Sequence, residues 1–365
     1  MVSDFDVDDV VCLYDAVPKC SEVVWPPSNA QRSVIHEDAC VDHKRHVGYV
    51  LQLCDDDSRF ECRLWGIDLA VGRCRPVLIP KSGSDWDQRF GLSTVILNDS
   101  LWIIGKRFHN KGNTSENQGN DYPNIMTMRY DLSSDTWDSA LNPIVGLAPI
   151  QFAAYVEISH TLAVVSGGYV GKSKTAATHA PGERIYSDSC YLLEEQQNTL
   201  GVRTLGVKQQ LPRLFLARAE HGMAFIPDIS AIVAIEGTIQ SDSSHTPWTR
   251  AAEILSLLPL KRNQRKLMES EPPEPPEPWC WRGLPTLPIY LANASKRVFG
   301  VGDNIIALSK LGLYRLRVCG DCAARICTRV SHTDDYHEWH RLPAFPLEAQ
   351  QHSIAFFSIR DSNFS

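Results

Sequence analysis

The chain has little of what marks a protein that binds nucleic acid or a membrane. Its 365 residues carry a formal net charge of −7, so there is no basic footprint for a polyanion. No apolar run approaches the ~18 residues that a membrane helix needs. Met1 to Val11 is acidic (Asp4, Asp6, Asp8, Asp9) and lacks the basic lead and apolar core of a secretory signal. Neither nucleic acid nor a membrane is therefore expected as a partner, and the expected location is cytoplasmic or nuclear. Also missing are Gly-x-Ser-x-Gly, Gly-x-x-x-x-Gly-Lys and His-Glu-x-x-His. Their absence removes the nucleophile elbow, the phosphate loop and the zinc-protease helix. Cysteine, by contrast, is plentiful at 11 residues. The number is odd, and Cys12, Cys40 and Cys190 sit in strand-like runs, so buried thiols are expected. In an unsecreted chain the Asn-x-Ser/Thr matches at Asn98, Asn113 and Asn293 carry no weight.

What is present is an ordinary globular balance, 43% hydrophobic and 22% charged, arranged as short strands. The stretch from Phe90 to Trp137 shows the pattern. Gly91 to Leu97 is a small and β-branched run, Asn98-Asp99-Ser100 a polar turn, and Leu101 to Gly105 a second apolar run. After a long polar loop, Ile125 to Asp131 alternates, and a further turn leads to Trp137. Strand, tight turn, strand, long loop, strand, turn, strand is the order of one propeller blade. Comparable units begin near Ala39, Phe152, His221 and Arg297. His352 to Ile359 reads as one more first strand, with no later strands behind it, while Val10 to Tyr14 and Ser21 to Trp25 read as later strands with no first pair. Joined, they would latch the ring and protect its edges.

The expected fold is thus all-β: a six-bladed propeller of four antiparallel strands per blade, one domain over residues 1–365. Its blades are 28–83, 84–145, 146–213, 214–288, 289–345, and 346–365 with 1–27. Residues 260–278, where a basic hexamer is followed by alternating Pro and Glu, are expected to form a disordered insertion.

Gly167-Gly168 after a second strand, Tyr130 with Trp137, Tyr186, Trp279 and Trp339 resemble the glycine pair, tyrosine and tryptophan of kelch repeats. Gly105 and Glu236-Gly237 match in part. This resemblance implies that residues leading into each innermost strand point at a central pocket. By alignment of the apolar runs these are His36, Arg89, Gln151, Glu220, Ser295 and Gln351, with Arg107 and Trp248 on the loops that rim the same face. The loops 106–124, 169–184 and 238–250 tilt this rim basic. As in kelch adaptors, the implied function is a protein-interaction module that holds a peptide or protein segment, a substrate receptor or scaffold with a ubiquitin-ligase or cytoskeletal partner. The alternative is a small-molecule enzyme of isomerase, lyase or oxidase type, using His36, Arg89, Glu220 and Arg297 in the pocket for acid–base work.

No metal or cofactor is expected. In His36-Glu37-Asp38-Ala39-Cys40 the side chains alternate across a strand and do not converge on one ion. Cys319-Gly320-Asp321-Cys322 lacks the second pair that a zinc site requires.

Overall fold

The computed structural model describes residues 33–56, 59–70, 73–80, 92–106, 125–138, 141–148, 150–172, 184–198, 201–239, 249–258, 280–288, 298–309, 312–318 and 338–342. They form a β-propeller. The first blade runs β1 (Ser33–Asp42), β2 (Val47–Asp56), β3 (Arg59–Asp68) and β4 (Arg73–Val77). In the second, β5 (Ser93–Leu97), β6 (Ser100–Lys106), β7 (Ile125–Asp131) and β8 (Thr136–Trp137) are joined by β9 (Asn142–Pro143), which pairs on the far part of β7. The third blade comprises β10 (Ala154–Glu157), β11 (Leu162–Ser166), β14 (Cys190–Gln197) and β15 (Arg203–Leu211). Between its second and third strands lies a separate ribbon, β12 (Tyr169–Lys172) with β13 (Arg184–Tyr186). A second ribbon pairs β16 (Arg218–Ala219) with β19 (Thr238–Ile239). It flanks the fourth blade: β17 (Gly222–Ile226), β18 (Ala231–Ile235), β20 (Ala252–Ser256) and β21 (Arg282–Leu284). The fifth blade is β22 (Val298–Val301), β23 (Asn304–Ser309), β24 (Gly312–Arg317) and β25 (Trp339–Arg341).

Every neighbouring pair within a blade is antiparallel. The first strands of successive blades lie side by side, β1 on β5, β5 on β10, β10 on β17 and β17 on β22. That contact makes separate sheets into a propeller.

Among the described residues the expectation of six blades is corrected to five. Five four-strand meanders are built among the described residues. Residues 1–27 and 346–365, assigned to the sixth blade, lie outside them, as does 260–278. The sixth blade rested on matching two chain ends, not on an internal four-strand unit. Among the described residues no helix is long and apolar enough to cross a membrane.

The alternating pattern explains the core. A strand between two neighbours puts successive side chains on opposite faces, and the facing sides of adjacent blades meet along four seams. Leu51, Leu64, Leu101 and Ile103 fill the seam between the first two blades. Val95, Trp102, Ala163 and Leu193 fill the next, then Val164, Leu192, Ile232 and Leu255, then Val233, Ile254, Ile305 and Leu316. A fully buried Leu, Ile or Val contributes roughly 1.5–3 kcal/mol through removal from water. That is why β18 reads as the unbroken apolar run Ala-Ile-Val-Ala-Ile, buried at every position.

Two tryptophans tie blade to blade. Trp281 Nε1 donates to Pro212 O at 2.9 Å, and Trp339 Nε1 donates to Pro285 O at 3.0 Å. Each indole stands at the start of a fourth strand and reaches the carbonyl just past the previous blade's fourth strand. In the fourth blade the structural tryptophan is therefore Trp281, two positions beyond the expected Trp279, which lies outside the described residues. Tyr186 is a second correction. It belongs to β13 on the ribbon, not to the third strand, which starts at Cys190.

Acidic side chains finish the innermost strands. Asp38, buried in β1, accepts from Thr94 N at 2.6 Å, and Glu157 of β10 accepts from Ile96 N at 2.5 Å. The two amides of β5 are thus met by carboxylates from both neighbouring blades, consistent with the rule that buried backbone donors find partners. This gives the polar run around Asp38 a structural role.

Candidate functional site

The third and fourth blades build the same turn twice on one face of the propeller. Gln151 pairs with Tyr169 as an isolated bridge, and Ala219 pairs with Thr238 in the equivalent place. One residue further on, Phe152 and Glu220 both take a left-handed backbone, each at φ +55. The strand registers agree, since Ala154 lies opposite Ser166 and Gly222 opposite Ile235. Glu220 is therefore level with Phe152, not with Gln151. The sequence alignment was one residue out because the apolar run begins one position later relative to the kink.

Backbone bonds weld the two turns together. Gly168 N donates to Arg218 O at 2.7 Å, Arg218 N to Ser187 O at 3.1 Å, and Glu220 N to Phe152 O at 3.0 Å. Gly167 and Gly168 sit at φ +64 and +95, conformations in which a Cβ is strained. There is also no room for one: at Gly168 it would press on Ile150, and at Gly167 on the Arg218 carbonyl.

These turns bring five side chains together: Phe152, Tyr169, Tyr186, Glu220 and Thr238. The Tyr169 ring meets Tyr186 edge-on at 4.8 Å between centroids and Phe152 at 5.5 Å. Such T-shaped pairs are worth about 0.5–1.5 kcal/mol beyond the area they bury. Thr238 Oγ1 donates to Ala219 O at 3.3 Å, so it accepts from the Tyr169 hydroxyl at 3.2 Å. Tyr169 also approaches Glu220 Oε1 at 3.4 Å. Burial raises the Tyr169 phenol above its ordinary range, the Thr238 bond lowers it, and the nearby Glu220 charge raises it further. The phenol is thus held protonated, beside the half-buried Glu220.

Below this cluster lies a fully buried ion pair, Arg218 with Glu253. Arg218 also donates from Nη1 to Glu236 O and Ala251 O, both at 2.9 Å. Its charge is consumed by scaffold and does not face a ligand.

Of the residues expected from sequence, the structure places Gln151 and Glu220 on this face. His36 lies in β1 opposite Leu53, next to a register shift after Val34, and its side chain is outside the described residues. Arg89, Arg107, Trp248, Ser295, Arg297 and Gln351 also lie outside them, with most of the three rim loops and with Cys319 and Cys322. Among the described residues no group of three or more His, Cys, Asp or Glu is placed to hold a metal ion. Sequence reasoning missed Tyr169, Thr238, Phe152 and the ribbon role of Tyr186. A signal existed for two of them, because Tyr169 follows Gly167-Gly168 and Thr238 follows Glu236-Gly237. Comparing the positions after each glycine turn would have paired them.

No protein-family model matches this chain, and no curated protein does either. Solved structures do match in shape. The structure of YjhT is 10% identical, with a TM-score of 0.48 over 79% of this chain and 81% of that one. The GH93 α-L-arabinofuranosidase of Fusarium graminearum with arabinobiose is 11% identical, with a TM-score of 0.41 over 82% of each chain. A GH43_1 enzyme from Xanthomonas citri is 9% identical, with a TM-score of 0.40 over 82% of this chain and 86% of that one. Likeness this distant concerns the course of the backbone, and the site's chemistry rests on its own residues. The expected peptide-binding adaptor is corrected here. Two of these three structures are named as glycoside-acting enzymes and none as a kelch adaptor, and the described side chains gathered on this face include a carboxylate and a phenol.

Proposed function

We propose that the chain is an enzyme that moves a proton on a small hydroxylated molecule at this face, with Glu220 as the base and Tyr169 as a neutral hydrogen-bond donor. One observation carries the reading. Glu220 is held in a left-handed backbone that a non-glycine residue rarely adopts, and its carboxylate meets a buried phenol. Such strain persists only where surrounding structure imposes it, and it gathers at functional sites. Here the Phe152 carbonyl imposes it by accepting from Glu220 N.

The chemistry follows from the two groups. A carboxylate takes a proton from a substrate hydroxyl or carbon and returns it to another substrate atom, so the proton count is unchanged over a cycle. This is isomerase or lyase chemistry, and glycoside hydrolysis where the proton comes from an attacking water and ends on the leaving group. The phenol, kept protonated, donates a hydrogen bond to the oxygen where negative charge grows. Its contacts of 3.2 and 3.4 Å to Thr238 and Glu220 are long, which leaves the proton free to turn toward a substrate. Phe152 and Tyr186 pack in T-shaped contact against the Tyr169 ring and hold it in place. A kelch-type ancestry belongs to the same reading, supported by Gly167-Gly168 and by the blade-spanning Trp281 and Trp339.

The test uses freshly dissolved aldoses, followed by proton NMR for anomer exchange, and para-nitrophenyl glycosides for release of the leaving group. The expected result is turnover of one class by the wild type, lost about 100-fold or more in Glu220→Gln and roughly tenfold in Tyr169→Phe. Equal turnover by wild type and Glu220→Gln overturns the assignment.

A further inference from the structure

Between the two turns of the site sits a histidine that the proposed chemistry does not use. His221, next to Glu220, is fully buried. Its Nε2 lies 2.8 Å from Ser166 Oγ, and Ser166 Oγ donates to Met223 Sδ, also at 2.8 Å. The Ser166 hydroxyl is thus shared between Nε2 and the thioether sulfur. Whichever nitrogen carries the proton, Nδ1 has no hydrogen-bond partner among the described residues.

His221 is clamped by both glycine turns, its ring by Gly167 and its Cβ and backbone by Gly237. A Cβ on Gly167 would come to 2.6 Å from His221 Cε1, and one on Gly237 to 2.8 Å from His221 Cβ. These are the turns that deliver Tyr169 and Thr238. His221 thus stands as the spacer between the Tyr169 turn of the third blade, against its ring, and the Thr238 turn of the fourth, against its Cβ.

We infer that His221 is the positioning residue of this site: as a neutral ring it holds the Gly167-Gly168 and Gly237 turns in register, and on protonation it releases them. The inference rests on the reading of this face as the active site. The charged groups on the elements packed against His221 are Arg218 on β16, Glu253 on β20, and Glu220 and Glu236 on the turns. Among the described residues, burial and then the Arg218 charge are what disfavour the imidazolium. The Arg218 guanidinium is already committed to Glu253, Glu236 O and Ala251 O. A second proton on His221 would enter a site with no acceptor facing Nδ1 and a cation nearby. The available response is for the turns to part and admit water, which separates Tyr169 from Glu220 and Thr238.

The test reads the turn directly and needs no substrate. Near-UV circular dichroism is recorded from about pH 8 to about pH 4, and the wild type minus Tyr169→Phe difference isolates Tyr169. Carbon NMR of ring-labelled histidine follows protonation of His221. His221→Gln removes its resonance, and Ser166→Ala shifts it, which assigns the signal even if the glutamine variant fails to fold. The expected result is one step, below the ordinary histidine range, in which both signals move while the far-UV spectrum stays native. Tyr169 signals that hold until the whole chain unfolds overturn the inference, as does a step that survives unchanged in His221→Gln. On any probe the enzyme turns over, the acid limb of kcat should follow the same step. Coupled spectra with no turnover of any probe would leave the positioning role standing and remove the proposed activity instead.

Discussion

Removing the carboxylate of Glu253 is expected to cost as much stability as truncating a large apolar side chain in the fourth blade. Glu253 is buried in β20 and has three donors. Arg218 Nη2 and Leu216 N, the latter at 3.2 Å, reach Oε1, and Phe215 N reaches Oε2 at 2.7 Å. The side chains of Arg218 and Glu253 are 0% and 3% exposed, so solvent screening gives no relief. Breaking a buried pair from one side leaves an uncompensated charge and costs about 3–5 kcal/mol. Glu253→Ala also strands the two amides, which places the loss toward the upper end. Glu253→Gln keeps one oxygen acceptor and should lose about 2–3 kcal/mol, the worth of a charged hydrogen bond. Replacing both partners, Arg218→Leu with Glu253→Leu, removes both charges together. It should cost less than the sum of the single changes by about 2 kcal/mol or more. The assay is urea unfolding with the m-value held as a check. Against a total of ~5–15 kcal/mol, Glu253→Ala should shift the midpoint severely. A loss under about 1 kcal/mol, or additive behaviour in the cycle, would refute the view that this pair fastens the segment leading into β17.

Other outcomes follow from the same geometry. Gly167→Ala should lose about 2–4 kcal/mol, combining a left-handed φ with overpacking against His221 and the Arg218 carbonyl, and thermal unfolding will show it. His221 contributes a pH dependence of definite sign. Its folded pKa lies well below the ordinary value of 6.5, so below that value the unfolded chain binds a proton that the folded chain refuses. Stability should fall by about 1.4 kcal/mol per pH unit below 6.5, down to the folded pKa; urea midpoints in His221→Gln should lack this slope. At Asp131 burial works against ionisation, but the amides of Ser134 and Ser133 and the Arg129 guanidinium outweigh it and hold the carboxyl at about 2. Its contribution is present above the unfolded value of 3.8 and fades as pH falls from there to about 2. Asp131→Asn should cost about 1–2 kcal/mol at neutral pH, allowing for its partial exposure.

The strands were legible because the signals that specify them are local. The left-handed Asn98 and Asp99, at φ +48 and +60, are the residue types a two-residue hairpin turn selects, and the apolar runs on either side could only be its strands. Gly167-Gly168 was legible as a turn, but its second function was not. That the missing Cβ makes space for His221 depends on a residue 54 positions later, in another blade. The site was half legible for the same reason. Glu220 stood out as a polar residue before an apolar run. Its partners Tyr169 and Thr238 come from turns of two different blades, and only the pairing of Gln151 with Tyr169 and of Ala219 with Thr238 brings them together. Tyr186 was read as the tyrosine of a third strand because it stands close before the apolar run Cys190 to Leu193. The polar Ser187-Asp188-Ser189 between them separates the ribbon from the blade.

The most direct test of the proposed activity is the Glu220→Gln comparison on the aldose and para-nitrophenyl glycoside probes, with folding verified by circular dichroism. Loss of turnover by about 100-fold or more in a fully folded variant is the predicted result. Turnover equal to the wild type, or none by the wild type on either class of probe, would contradict it.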